Sequence, residues 1–285
     1  MDKRKVLKKL YSVALNLVTT IGDMLKVLIF SKPLKLMNHV EQVESAENCL
    51  VLGNGPSIRN SLDEILKKRS TSQVMALNFF CNSEEFFLIK PEYYCICDPV
   101  IFNSNKGFDL LPSKMKSFIE NLNEIDWICS LYFPSHFNHQ YVLNKIENPN
   151  VKKIEYNSTT LNGKTKITNW FYRKNLGMPT PESVIIPAIF LSINNQFKRI
   201  YIYGVDHTWA KFIEVDENNN SSFLLEHFWG KDDRTKSDRN ISSFFKSQHR
   251  LFNSHDQLEI YAKSRNIKII NKTNTSLIDS YDRDE

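Results

Sequence analysis

Asn48-Cys49-Leu50-Val51-Leu52-Gly53-Asn54-Gly55-Pro56-Ser57 is the stretch on which the reading of this chain turns. A short apolar run that passes straight into Gly-x-Gly-Pro has the pattern of a buried strand ending on a tight loop. The glycines allow the turn and let the backbone approach a ligand closely. Pro56 fixes the backbone and removes a donor. Residues from Ile58 to Lys68 then predict a helix with Ser57 as its N-cap. Backbone N–H groups and the dipole at such a helix start favour an anion, a phosphate above all, and Asn54 and Ser57 can add side-chain hydrogen bonds. The loop is neither a Walker loop, since it lacks the Gly-Lys-Ser/Thr ending, nor the dinucleotide GxGxxG. Alone, it could be only a tight strand–helix turn.

Working outward, further apolar runs predict strands at 73–77, closing on Asn78, at 93–97, closing on Asp98-Pro99, and at 126–130. Two more are expected at 199–203, closing on Gly204-Val205-Asp206, and at 267–271. Helical patterns cover 182–194 and 253–265. The stretch from His136 to Asn175 is polar and aromatic and yields no element. Residues 211–247 are too long for an ordinary connection and predict a lid or acceptor loop. Strands alternating with helices imply an α/β fold with a parallel sheet covered on both faces. In such sheets ligands bind outside the carboxyl ends of the strands, which would bring Gly53 to Ser57, Asn78 and Asp98 to one crevice.

The 285 residues carry a formal charge of +5 and 41% apolar content, enough for a substantial core. No concentrated basic stripe points to nucleic acid; the mild charge suits an anionic small substrate or a membrane surface. The cysteines Cys49, Cys81, Cys95, Cys97 and Cys129 lack zinc-site spacing and read as small buried hydrophobes in a reducing compartment. Lys3, Arg4, Lys5, Lys8 and Lys9 precede an apolar-rich stretch to Phe30, with no small-residue cleavage site after it. Asp23 and Lys26 argue against a membrane span. The helical spacing predicts a basic amphipathic helix, with linker, over 1–46, ahead of a domain at 47–285. That helix would lie on an anionic leaflet or pack on the domain or a second subunit.

Strand–GNGPS–helix, strand–Asn, strand–Asp-Pro and a later strand ending Gly-Val-Asp together resemble the bacterial sialyltransferase-like enzymes of glycosyltransferase family 42 and their wider relatives of surface-glycan loci. The similarity spans about residues 48–280 and is sharpest at Gly53 to Ser57 and at 199–206. It implies a Rossmann-like, GT-A-variant sheet and a nucleotide-sugar donor, CMP-linked, as substrate, with no further cofactor. Gly53, Asn54, Gly55, Pro56, Ser57 and Asn78 would fall where the family contacts phosphate, ribose and sugar, and Ser183 where it contacts the nucleoside. Asp98 stands where the family carries Asn, and the family's arginine has only Arg173 as a distant counterpart.

The resemblance also implies an inverting, metal-independent transfer with a histidine as general base, because the attacking hydroxyl must lose its proton. Counting back from the last helix and strand places that base on His249; His227 and His255 are the alternatives. The departing phosphate needs donors. Where the family has tyrosines, this chain has His207, Thr208, Trp209 and Lys211, and Thr208 and Lys211 could supply a hydroxyl and a cation. Asp206 would contact ribose or acceptor, or else hold the crevice loop.

The expected activity is transfer of a sialic acid or Kdo-like sugar to a lipopolysaccharide or capsule glycan at the cytoplasmic face of the inner membrane. Use of a UDP- or CDP-linked donor, a Mg-dependent pyrophosphokinase or phosphotransferase, and a non-catalytic nucleotide-binding scaffold are the other readings.

Overall fold

A computed structural model describes residues 18, 21–34, 47–102, 111–137, 140–163, 165–223, 226–227, 230–231, 235–236 and 240–283. The opening apolar run forms strand β1 (Asn48–Leu52). Its side chains alternate between two hydrophobic layers: Cys49 and Val51 face one, Leu50 and Leu52 the other. Both faces are therefore covered, which is why the strand reads as continuously apolar.

The other strands of this sheet are β2 (Ser72–Leu77), β3 (Tyr93–Cys95), β4 (Cys129–Pro134), β5 (Val151–Tyr156), β6 (Arg199–Tyr203) and β12 (Lys268–Asn271). They form one seven-stranded sheet in the order β12-β6-β1-β2-β3-β4-β5. Every pairing is parallel. The strand order runs outward from β1 in both directions, so the chain reverses its winding between β1 and β6. That is the switch point, where neighbouring loops diverge and open a crevice.

Helices cover both faces. On the first lie α1 (residues 21–30), α7 (Lys166–Arg173), α8 (Ile185–Asn194) and α9 (Ile241–Lys263). Val27, Tyr172, Phe190, Leu258 and Tyr261 join that layer. On the second lie α2 (Leu62–Lys68), α3 (Glu85–Ile89), α4 (Pro99–Phe102), α5 (Pro112–Glu124) and α6 (Gln140–Leu143). They contribute Ile65, Phe86, Phe102, Phe118 and Val142.

The fourth strand, expected at 126–130, forms at Cys129–Pro134, and three further details differ from the sequence-based expectation. Strand β5 was not expected. Val151 joins one hydrophobic layer and Ile154 and Tyr156 the other, but the consecutive Lys152 and Lys153, one on each face, are exposed, as suits the edge of a sheet. Helix α9 begins at Ile241, twelve residues before 253, and is capped by Asn240, whose side chain accepts from Ser243 N. Its early turns carry mostly Ser, Lys and Gln, which masks the period. The expected lid at 211–247 is, in its described parts, a set of short antiparallel strands, β7 (Glu214–Val215), β8 (Ser221–Phe223), β9 (Glu226–His227), β10 (Gly230–Lys231) and β11 (Thr235–Lys236), succeeded by the start of α9.

The amphipathic helix both packs and stays open. Val27 is buried, and Asp23 Oδ2 accepts from Asn162 N at 3.0 Å. Val18, Ile21, Leu25, Leu28, Ile29 and Phe30 face solvent, Leu28 and Ile29 each at 71% exposure. No helix among the described residues is long and apolar enough to cross a membrane.

Candidate functional site

The crevice opens where β1 and β6 end side by side. Gly53 N donates to Tyr203 O at 2.7 Å, and Gly55 N to Gly204 O at 2.8 Å. The two loops lie so close that a Cβ on Gly55 would stand 2.0 Å from Asp206 Oδ2. Gly204 has φ +65 and packs on Ile58 and Gly53. Both positions require glycine, one for space and the other for its left-handed backbone.

This corrects the expected anion cradle. The loop's N–H groups at Gly53 and Gly55 are bonded to the neighbouring strand's extension, and Pro56 has none. Beyond Gly55 the chain makes a 3-10 turn, Pro56–Ser61, with no side-chain cap, so Ser57 is not the N-cap of a helix. Ser57 instead donates its hydroxyl to Asp206 Oδ2 at 2.9 Å. The other carboxylate oxygen of Asp206 accepts from Thr275. Both oxygens of Asp206 are thus engaged in holding the crevice loops together.

Two adjoining cavities lie over these loops. The narrower, of about 160 Å³, is lined by Gly53, Asn54, Gly55, Pro56, Asn78, Ser183, Asp206, His207, Thr208 and Trp209, among others. The wider, of about 800 Å³, shares Asn78, Ser183, Val184 and Trp209 and adds Asp98, His136, Ser158, Glu182 and Arg250. Most of the sequence-predicted site residues therefore meet here. Ser57 lines neither cavity, Lys211 is exposed on the turn beyond Trp209, and His249 is exposed on α9 one residue before Arg250. The side chain of His227 lies outside the described residues. Arg173 lines neither cavity.

Asn54 Nδ2 donates to Leu77 O at 3.3 Å, while its Oδ1 is buried without a partner among the described residues. A buried acceptor in this state is costly and suits a hydroxyl or N–H donor, not a phosphate oxygen. Asn78, at φ +43, accepts from Cys97 N through Oδ1 at 3.0 Å, which leaves Nδ2 as its donor. Asp98 Oδ1 accepts from Val100 N at 2.9 Å and so starts α4.

His136 was not legible as a site feature, and neither was the pairing of His207 with His255. His136 sits in the stretch that yields no sequence pattern. Its Nδ1 lies 3.1 Å from Ser158 Oγ and its Nε2 3.1 Å from Thr159 Oγ1. Burial, aided by Lys32, lowers its pKa below the usual 6.5. His207 and His255 are buried and face each other, Nε2 to Nε2, at 3.2 Å. His255 also meets the Tyr281 hydroxyl through Nδ1 at 2.8 Å. Enclosed in this way, His255 cannot reach an acceptor hydroxyl as a base.

Among the described residues no group of three or more His, Cys, Asp or Glu is placed to hold a metal ion. The cysteines are free; burial raises the Cys49 and Cys81 thiols to about 12. No protein-family model matches the chain. No curated protein matches it either. Among solved structures it is similar to the MAf glycosyltransferase from Magnetospirillum magneticum AMB-1, with a TM-score of 0.49 and 12% identity. That match covers 85% of this chain and 34% of the other, so the chain spans about a third of its length.

Proposed function

We propose that this chain is an inverting glycosyltransferase that moves a sugar from a CMP-linked 2-ulosonic acid, of the sialic acid or Kdo kind, to a hydroxyl of a surface glycan. The observation that carries the reading is the pair of adjoining cavities at the switch point between β1 and β6. One is a narrow slot walled by the Gly53 to Pro56 loop; the other is wide enough for a sugar and an acceptor together. Asn78 and Ser183 stand on the shared wall, where the bond to be broken would lie. Asn54 Oδ1 takes a ribose or sugar hydroxyl, since it needs a donor.

In this reading the acceptor oxygen attacks the anomeric carbon as the bond to the phosphate oxygen breaks. The acceptor's proton passes to His136, directly or through the Ser158 hydroxyl beside it. Among the described histidines, His136 lines the wider cavity, and its depressed pKa keeps it unprotonated at neutral pH, as a general base must be. CMP leaves with the bonding electron pair. The transfer is proposed to run without a metal ion. The exposed apolar side of α1 supports a peripheral seat on the membrane that carries a lipid-linked acceptor.

Thermal stability in the presence of CMP, CDP, UMP, UDP, ADP and ATP, in EDTA or with Mg²⁺, tests the reading. A ligand at 100 times its Kd adds about 2.7 kcal/mol of stability. Stabilisation by CMP in EDTA is the expected result. Stabilisation by ATP alone, and only with Mg²⁺, overturns it in favour of phosphoryl transfer.

A further inference from the structure

A file of buried polar groups runs from the narrow cavity into the core. His207 Nε2 faces His255 Nε2 at 3.2 Å, and His255 Nδ1 faces the Tyr281 hydroxyl at 2.8 Å. All three side chains are buried. Two facing ring nitrogens bond only if one carries a proton and the other does not.

Tyr281 decides which. Among the described residues, His255 Nδ1 is the one acceptor within reach of its hydroxyl. Were His255 to donate instead, a buried O–H would be left with no acceptor, the costly kind of vacancy, whereas an oxygen with a spare lone pair is tolerated. Tyr281 therefore donates to His255 Nδ1, and His255 Nε2–H donates to His207 Nε2. His207 must then carry its own proton on Nδ1. No described residue partners that nitrogen, and the ring lines the narrow cavity.

We infer that His207 is a neutral N–H donor that binds a phosphate oxygen of the nucleotide, its tautomer set from the core by His255 and Tyr281. The inference rests on the nucleotide reading above and supplies what the glycine loop does not, since the N–H groups of Gly53 and Gly55 are taken by the end of β6.

The surroundings agree. Burial brings the His207 pKa down to about 3 and holds His255 well below its usual range, so neither ring is a cation at ordinary pH. Burial pushes the Tyr281 hydroxyl up, so the proton stays on the tyrosine and the file orients a donor without delivering a proton. Successive hydrogen bonds polarise one another and strengthen the terminal donor. His207 has φ +51, which a residue with a side chain rarely adopts. Its ring is fixed against Trp209, with centroids 4.9 Å apart, and edge-on to Phe252 at 6.3 Å.

Long-range ¹H–¹⁵N correlation on histidine-labelled full-length protein, without ligand, reads the tautomers directly. His207 protonated on Nδ1 and His255 on Nε2 is expected; His207 protonated on Nε2 overturns the inference. The second readout is the preference for CMP over cytidine. His207→Gly, which accepts the positive φ, should cut that preference about tenfold, and His207→Asn, whose Nδ2 lies near the position of Nδ1, should restore most of it. Unchanged cytidine affinity shows that the site is intact; if the glycine variant loses it, the asparagine variant and the tautomer spectrum decide. Wild-type protein that prefers CMP, with the preference intact in His207→Gly, overturns this inference alone. Wild-type protein that binds neither compound overturns the nucleotide reading and the phosphate contact with it.

Discussion

The Ser57 hydroxyl donates to Asp206 Oδ2 at 2.9 Å, and through that bond the loop after β1 is fastened to the loop after β6. Asp206 also accepts from Thr275, and its carbonyl accepts from Leu277 N at 3.1 Å, so the segment after β12 is drawn into the same knot. Gly55 lies against this carboxylate with no room for a methyl group. Gly55→Ala should therefore lower stability by about 1–3 kcal/mol, the usual cost of overpacking. Ser57→Ala, which removes one hydrogen bond, should cost about 1 kcal/mol. Urea unfolding midpoints measure both. A Gly55→Ala protein that unfolds at the wild-type midpoint would show that the two loops are not in contact.

The same knot explains what could be read from the sequence and what could not. Five of the six expected strands and the crevice at their ends were legible in place, because apolar runs ending on Gly, Asn or Asp are local patterns; the run at 126–130 has no such ending, and its strand lies at Cys129–Pro134. The expected roles of the loop were not, because they depend on who sits beside it. Gly53 and Gly55 were read as a turn that lets a ligand approach, and only β6 as a neighbour shows that their N–H groups and their space serve loop packing. His136 and Tyr281 had no local signal at all. Their relevance comes from contacts with Ser158 and His255, which no periodicity encodes. Strand β5 was hidden for a simpler reason: an edge strand interrupted by two consecutive exposed lysines lacks the apolar continuity of a central one.

Acid should weaken the fold through the buried histidines. His207 is held at about 3 against an ordinary 6.5, and His255 is also lowered by burial. Above pH 6.5 neither form of the chain protonates them, and their stabilising effect is fully present. As pH falls below 6.5 the unfolded chain takes up protons that the folded chain refuses, and stability drops by up to about 1.4 kcal/mol per pH unit for each histidine. His207→Asn removes one such group. The pH dependence of its unfolding free energy between 6.5 and 4 should be shallower than wild type by about that amount. Parallel curves would mean that His207 is not held neutral.

Turnover separates the two histidines proposed for proton removal. His136→Ala should lower kcat by about 100-fold while leaving nucleotide binding in place. His249→Ala, on the exposed side of α9, should stay within a few-fold of wild type. Because burial and Lys32 lower the His136 pKa, the acid limb of the rate profile should fall below pH 6.5, with rate lost as pH drops and the base becomes protonated. A large loss in His249→Ala with a normal His136→Ala would move the base to the helix.

Membrane seating can be tested without touching the crevice. On α1, Val27 and Asp23 face the domain while Leu28 and Ile29 project outward. An apolar face of this kind binds an interface in proportion to the area it buries, and a charge placed within it opposes that burial. Leu28→Glu combined with Ile29→Glu should reduce co-sedimentation with vesicles containing anionic lipid by at least about tenfold, and the thermal shift given by CMP should be unchanged. Wild-type protein that ignores vesicles but forms a dimer, lost in the double variant, would show that the face belongs to a second copy of the chain. High salt sharpens the distinction, because screening weakens attraction to an anionic surface and leaves an apolar contact between subunits in place.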